Sequence, residues 1–141
     1  VHASIYDEFV ELMAKKTRAL RHGVDESHNV DIGCLTTKSQ LNTVKEHLED
    51  ALAKGAKIVA QSQAIGPQNG YFHPATLLTN TTDDMLFIQD ETCGPLIPVI
   101  KFSTEEEAIA LANDSHLALT SSVWTKNAKK GRAFAAKLEC K

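Results

Sequence analysis

Two carboxylates and a thiol lie close together in one short polar segment of this sequence. Asp90, Glu91 and Cys93 precede a Gly-Pro pair, after which an apolar run begins. In open α/β sheets, the loops beside strand ends carry the polar groups of a site, because the sheet holds the loop ends rigidly while the loop sequence varies. We therefore expect any chemistry of this chain to lie within residues 89–102.

The thiol of Cys93 is a weak candidate for a nucleophile. A reactive cysteine needs positive charge to stabilise its thiolate, whereas the adjacent carboxylates favour the protonated thiol. No Lys, Arg or His occurs in the eight residues before Cys93. We therefore interpret Cys93 as a packed or unreactive cysteine.

Glu91 is the stronger candidate, as a hydrogen-bond acceptor. A carboxylate held on a turn can accept from the vicinal hydroxyls of a sugar, as acidic residues do with cofactor riboses. A solvated turn that binds nothing is the alternative, and the residue types alone leave both interpretations open.

The composition is that of one globular domain, which we place at residues 1–141. The chain is 43% apolar, and its 18 acidic and 15 basic residues are interspersed, for a net charge of −3. Because no basic field is present, the charge pattern argues against nucleic acid and anionic membranes as partners. No apolar run approaches the ~20 residues of a membrane span. Small molecules or proteins are the expected partners.

The cysteines predict a reducing compartment. Cys34, Cys93 and Cys140 are odd in number, widely spaced and without a CxxC pair, which disfavours both a disulfide framework and a zinc site. We expect an intracellular protein, cytoplasmic or mitochondrial, without metal-binding residues. The sequence also contains no GxGxxG, P-loop, HExxH or GxSxG motif, so the common signatures of phosphate cradling, zinc hydrolysis and serine hydrolysis are missing.

Two capping boxes predict the helices of the first half. Ser4 and Asp7 predict a helix that runs to about Leu20, and Thr37 with Gln40 predicts a second helix closed by Gly55. The predicted buried stripes are Ile5, Phe9, Leu12, Met13 and Leu20 in the first helix and Leu41, Val44, Leu48 and Leu52 in the second. His47 is predicted to lie on the helix surface.

Turn residues predict a polar connection at 21–36, with His22 and His28 in solvent. Those turn residues are Gly23, Asp25, Ser27, Asn29 and Gly33. Apolar and β-branched runs after Gly55 predict strands at 57–60 and 75–78, a surface loop at 61–70, and a segment of uncertain type at 85–88.

The last third alternates strand and helix signals. A nearly continuous apolar run predicts a buried parallel strand at 96–102, which Pro95 and Pro98 restrict to a sheet edge. A capping box at 103–106 predicts a helix with Ala108, Ile109, Leu111 and Ala112 inward, followed by a strand at 117–124 and a helix at 128–138 that buries Phe134, Ala135 and Leu138. The whole pattern indicates an α/β fold.

Residues 90–95 resemble the Glu-Glu-x-Phe-Gly-Pro motif of aldehyde dehydrogenases, the NAD(P)-dependent enzymes that oxidise aldehydes to acids through a cysteine thioester. Residues 1–9 are similar to the family segment just beyond the nucleophile, and the resemblance covers the whole chain. Further matches fall in the family's order at 31–33, 55–57, 70–72 and 108–113. Residues 91–96, 98–102 and 104–109 look most like succinate-semialdehyde dehydrogenases. The resemblance implies the Rossmann-like catalytic domain of the aldehyde dehydrogenase fold, truncated at both ends.

The resemblance also implies roles for three residues toward NAD or NADP. Glu91 matches the glutamate that hydrogen-bonds the nicotinamide ribose, and Gln40 falls where family members contact the adenosine end. Cys93 stands where a phenylalanine usually packs beside the nicotinamide ring. Cys34 similarly replaces a proline, and Ala118 stands where a Gly-Leu pair is common. These departures suggest a diverged or inactive member.

Several parts of such an enzyme are expected outside this chain. The nucleophile of a Gln-x-Cys motif, the general-base glutamate and the cofactor domain are expected upstream of Val1, and the oligomerisation strand beyond Lys141. We therefore expect no catalytic residue here and an inactive isolated chain, while the full-length enzyme binds an aldehyde and a nicotinamide cofactor as a homo-oligomer. A non-catalytic binding or structural domain derived from that fold is the alternative.

Overall fold

A computed structural model describes residues 1–24, 26 and 28–140 of the chain. Asp25 and Ser27, two of the predicted turn residues, and Lys141 lie outside the described residues. The elements are α1 (Tyr6–Ala19), β1 (Arg21–Gly23), α2 (Lys38–Ala53), β2 (Lys57–Gln61), β3 (Gln63–Ile65), β4 (Thr76–Thr79), α3 (Leu86–Gln89), β5 (Leu96–Pro98), α4 (Glu105–Asn113) and α5 (Ala128–Ala135).

A three-stranded sheet in the order β2-β4-β5 carries the core. Strand β4 lies in the middle, antiparallel to β2 and parallel to β5, with Thr76 opposite Leu96. The strands predicted at 57–60 and 75–78 are confirmed as β2 and β4. The strand predicted at 96–102 is confirmed only as the shorter β5, which is an edge strand among the described residues, as its prolines predict. The predicted α/β arrangement is therefore confirmed.

Helices cover both faces of the central strand. Successive strand side chains point to opposite faces of a sheet, so the buried Leu77 and Leu78 of β4 join two different clusters. Leu78 packs with Ala51 of α2, Met85 and Phe87. Leu77 packs with Ala14 of α1, Ala60 and Val99. The core thus consists of two layers that share β4.

Helix α1 forms where it is predicted. Its predicted cap is wrong, and its predicted buried face is confirmed only in part, by Met13, which packs against the core. Ser4 does not cap it, because its backbone N–H donates to His2 Nδ1 in a preceding 3₁₀ turn at Ala3–Ile5. Ile5 and Leu12 are each 53% exposed, and Phe9 is also exposed. Ala14 and Thr17 are the buried residues instead, because small side chains allow the helix to approach the sheet closely.

Strand β1 lies in the segment that is predicted to be a polar loop. It pairs in parallel with β3, whose residues are likewise predicted as loop. The two strands have only three residues each, too few to show a period-two pattern in the sequence. Gly23 is required at this pairing, because a Cβ there would lie 2.2 Å from the carbonyl oxygen of Ile65.

The strand predicted at 117–124 is wrong. Leu119 is 80% exposed and Trp124 92% exposed, and among the described residues no strand hydrogen-bonds to this segment. A strand requires a neighbour for its backbone groups, and a local apolar pattern cannot supply one. The predicted helices on either side are confirmed as α4 and the shorter α5.

The capping box of α4 lies one residue later than predicted. Thr104 is the N-cap and its Oγ1 accepts from the backbone N–H of Glu107 at 3.1 Å. Glu107 in turn accepts from the N–H of Ser103 at 2.7 Å. No helix among the described residues is both long and apolar enough to cross a membrane.

Two buried histidines lie next to the sheet, although His22 is predicted to be in solvent. His22 Nδ1 lies 2.9 Å from Ser62 Oγ, and the same oxygen accepts from the backbone N–H of Ala75 at 2.8 Å. His73 Nδ1 donates to the carbonyl of Pro74 at 2.9 Å. Burial is the main cause that lowers the pKa of both imidazoles.

Acidification is expected to destabilise the fold through these histidines. In the folded chain both imidazoles take up a proton only at a pH below their usual pKa of 6.5, whereas in the unfolded chain they take it up near that pH. The free energy of unfolding is therefore highest above about pH 6.5 and falls as the pH decreases below that value. Urea unfolding from about pH 8 to pH 5 measures this decline. His22→Asn should reduce it, and the exposed control His116→Asn should not; equal declines in wild type and His22→Asn would contradict the assignment.

Candidate functional site

Helix α2 provides the platform for the candidate site. Thr37 caps it, because Oγ1 accepts from the backbone N–H of Gln40 at 3.1 Å, which confirms the predicted helix start. The helix ends before Gly55, whose positive φ of 99° suits a glycine. Residues three and four apart share one helix face, so Gln40, Val44 and His47 point in the same direction.

Three consecutive loop residues contact that face of α2. Gln40 Nε2 donates to the carbonyl of Cys93. His47 Nδ1 and Thr92 Oγ1 form a hydrogen bond of 2.9 Å. Gly94 packs so closely that a Cβ on it would lie 2.2 Å from Val44 Cγ2. The side chains of α2 therefore hold the segment that carries Glu91 against this helix.

The sheet and α3 hold the two ends of the same segment. The carbonyl of Pro95 accepts from the N–H of Thr76 in β4 at 2.8 Å. At the other end, Asp50 of α2 accepts from the N–H of Leu86, the first residue of α3, at 2.8 Å. This backbone bond, followed by a bond to Lys54, lowers the pKa of Asp50. The uncertain apolar run at 85–88 is thus a short helix that α2 caps.

Glu91 and Cys93 are both exposed, and they contact each other. A hydrogen bond from the Cys93 thiol to the Glu91 carboxylate raises the pKa of Cys93, and partial desolvation and the negative charge of Glu91 add to this effect. The expectation that the adjacent carboxylates disfavour the thiolate is confirmed for Glu91. Of the two predicted alternatives for Cys93, packed or unreactive, its exposure excludes the packed one, and its raised pKa agrees with the unreactive one. Its backbone is held at a φ of 44°.

The structure brings together the three predicted cofactor residues Gln40, Glu91 and Cys93. The side chain of Gln40 is already engaged at both ends of its amide, since Oε1 accepts from the N–H of Thr36 at 3.2 Å and Nε2 donates to Cys93. Its contact with the adenosine end of a cofactor stays a prediction. In this structure Gln40 holds the loop.

The sequence patterns do not identify two residues of the site. His47 is predicted on the surface but is only 6% exposed, and no sequence signal distinguishes Thr92 from other loop residues. The spacing of His47 from Val44 on one helix face could have indicated its burial. The partner on the loop could not have been found that way, because residues 47 and 92 meet only in the fold.

An apolar cleft of about 580 Å³ lies elsewhere on the chain. Its lining includes Ile5, Phe9, Trp124 and Phe134, and no residue of the 90–95 loop. The cleft is therefore separate from the candidate site.

The chain matches the aldehyde dehydrogenase family model over residues 1–141. The chain belongs to the aldehyde dehydrogenase family. This confirms the resemblance drawn from residues 90–95 and their flanks. Within this aldehyde dehydrogenase chain, the family motif coincides with the loop that α2 holds in place.

Three similar proteins illustrate how much longer the relatives of this chain can be. Succinate-semialdehyde dehydrogenase 2 of Schizosaccharomyces pombe, designated NADP(+), is 39% identical over 127 residues, which are 90% of this chain and 26% of that protein. The NAD+ complex of an aldehyde dehydrogenase from Bacillus cereus matches with a TM-score of 0.90 at 32% identity over 99% of this chain and 28% of that one. Betaine aldehyde dehydrogenase from Staphylococcus aureus in complex with NAD+ matches with a TM-score of 0.91 at 29% identity, over 99% of this chain and 28% of that one. The chain thus spans about a quarter of its curated relative.

Substitution of Gly94 by alanine is expected to displace the loop, because the new Cβ would overlap Val44 Cγ2. Overpacking of this kind costs about 1–3 kcal/mol of unfolding free energy. Urea unfolding measures the loss, and Gly33→Ala is the control, since a Cβ at Gly33 meets nothing within 4 Å. The double variant Gly94→Ala/Val44→Ala should lose less than the sum of the two single losses. Full additivity would show that the two residues do not contact each other.

Cys93 is expected to react slowly with iodoacetamide at neutral pH, because its raised pKa keeps the thiol protonated. Glu91→Gln removes the negative charge and should accelerate the alkylation of Cys93. Mass spectrometry of alkylated peptides over time measures both rates, and the exposed Cys34 serves as the control that the substitution leaves unchanged. An unaltered Cys93 rate in Glu91→Gln would refute the thiol–carboxylate contact.

Proposed function

We propose that this chain is a portion of an NAD(P)-dependent aldehyde dehydrogenase that oxidises an aldehyde to the acid, and that Glu91 accepts hydrogen bonds from the hydroxyls of the nicotinamide ribose. The observation that carries the proposal is an exposed carboxylate on a loop anchored to α2 and to the sheet. The nucleophile and the cofactor domain belong to parts of the enzyme outside this chain.

The chemistry of the loop fits a sugar diol. The Glu91 carboxylate has about four acceptor positions, and the Cys93 thiol occupies one of them. The remaining positions can accept from two vicinal hydroxyls. Because Thr92, Cys93 and Gly94 are held by α2, little loop motion needs to be arrested when the ribose binds, which favours binding.

The nicotinamide supplies the hydride acceptor when the cofactor is bound. The role of this chain is to orient the ribose through Glu91, with the short side chain of Cys93 beside the ring. A thiol fills less space than the phenylalanine usual at this position, so the ring is held less tightly. A contact of Gln40 with the adenosine end would use the second N–H of Nε2 or the second lone pair of Oε1, since Cys93 and Thr36 each occupy one position on these atoms.

The finer identity of the enzyme is part of the same proposal. Succinate semialdehyde is the proposed aldehyde, supported by the relative of Schizosaccharomyces pombe at 39% identity. That relative is designated NADP(+), and two structural neighbours carry NAD+. The proposed cofactor is therefore NAD or NADP. The thiols of Cys34, Cys93 and Cys140 are free, which supports a reducing cytoplasmic or mitochondrial location. The full-length enzyme is proposed to be a homo-oligomer.

Glu91→Gln in the full-length enzyme should slow hydride transfer about 10-fold to 100-fold. The substitution removes a charged acceptor while it keeps the size of the side chain, and hydrogen bonds to charged groups contribute about 1.5–3 kcal/mol. Stopped-flow absorbance of the reduced nicotinamide measures the rate. Asp90→Asn is the matched control, because it removes the neighbouring exposed charge. An unchanged rate in Glu91→Gln would reject the proposed role of Glu91, whereas no hydride transfer by the unsubstituted full-length protein would favour a non-catalytic binding or structural domain.

A further inference from the structure

The bond between His47 and Thr92 joins a buried side chain of α2 to the residue directly after Glu91. His47 is buried between Val44 and Ala51, one turn away on either side, and both of these are fully buried. A buried imidazole needs a hydrogen-bond partner, and Thr92 Oγ1 supplies one at 2.9 Å. The contact is partly buried, because His47 is buried and Thr92 is half-buried.

We infer that His47 is a positioning residue, which acts through Thr92 to set the direction in which the Glu91 carboxylate faces the cofactor. This inference rests on the proposed function of Glu91. Helix α2 thereby contributes to cofactor binding through a side chain that does not itself contact the cofactor.

Glu91 and its neighbour Thr92 face different surroundings. Glu91 is exposed, whereas Thr92 is half-buried and bonds to His47 of α2. A rotation of the backbone that turned Glu91 away from its site would also pull Thr92 from His47. The bond between His47 and Thr92 therefore opposes that rotation.

The backbone beyond Thr92 makes such an anchor necessary. Cys93 has a φ of 44°, a left-handed conformation that a side chain with a Cβ rarely adopts and that persists only where its surroundings hold it. The Gln40 bond to the Cys93 carbonyl and the Gly94 contact with Val44 hold this residue and the one after it. His47 and Thr92 hold the side on which Glu91 lies.

The test uses isosteric substitutions in the full-length enzyme. Thr92→Val keeps the shape and removes the hydroxyl, whereas Thr92→Ser keeps the hydroxyl. His47→Leu removes the imidazole, and His47→Asn restores a polar nitrogen near the position of Nδ1. Glu49→Gln, at an exposed position of α2, is the surface control. The readouts are the KM for the nicotinamide cofactor, the rate of hydride transfer, the unfolding midpoint and the hydrogen exchange of the 91–93 amides without cofactor.

Thr92→Val and His47→Leu are each expected to raise the KM for the cofactor or to lower the rate of hydride transfer about fivefold. This change is equivalent to one lost hydrogen bond. Both should also accelerate amide exchange in the 91–93 segment. Thr92→Ser and His47→Asn should recover most of the loss. The double variant Thr92→Val/His47→Leu should be no worse than either single variant, because both remove the same bond.

A lower unfolding midpoint with unchanged cofactor KM and hydride transfer would overturn the inference, since it would show a structural role alone. Failure of Thr92→Ser to recover what Thr92→Val loses would also overturn it. The proposed function has its own test and fails if Glu91→Gln leaves the rate of hydride transfer unchanged. In that case, amide exchange without cofactor still shows whether the bond between His47 and Thr92 holds the loop.

Discussion

The close approach of residues 92–94 to helix α2 is the constraint on which the candidate site depends. Gly94 lies so near Val44 that no side chain fits between the helix and the loop. This contact brings the Cys93 carbonyl within reach of Gln40 and the Thr92 hydroxyl within reach of His47. Once those bonds form, the exposed Glu91 is attached to a rigid helix on one side and to the sheet beyond Pro95 on the other.

Helix α2 links this loop to the hydrophobic core through one continuous face. Val44 and Ala51 are fully buried and lie in line with His47, and Ala51 packs in the cluster around Leu78 of the central strand. Asp50, next to that face, caps α3 just upstream of the loop. Packing energy from the core therefore stabilises the loop geometry, because the helix that carries the anchors cannot shift without disturbing the core.

The negative charge of the candidate site gives Glu91 and Cys93 different roles. The Glu91 carboxylate takes a hydrogen bond from Cys93 and keeps that thiol protonated, which makes Cys93 a poor nucleophile and leaves Glu91 as the acceptor of the pair. This division follows from residue types alone and is visible in the sequence. The family motif at 90–95 is visible there as well, and the family match over residues 1–141 confirms it.

Local signals in the sequence determined the helix starts at Thr37 and near Thr104, the strands around β4, the stop at Gly55 and the polar loop that carries Glu91, because capping, turn chemistry and chain alternation act between near neighbours. Tertiary structure alone decided the burial of His47 against Thr92, the pairing of β1 with β3, the exposed face of α1 and the missing strand at 117–124. Each of these depends on what lies across the contact. The partner comes from a distant part of the chain, so no local pattern can encode it.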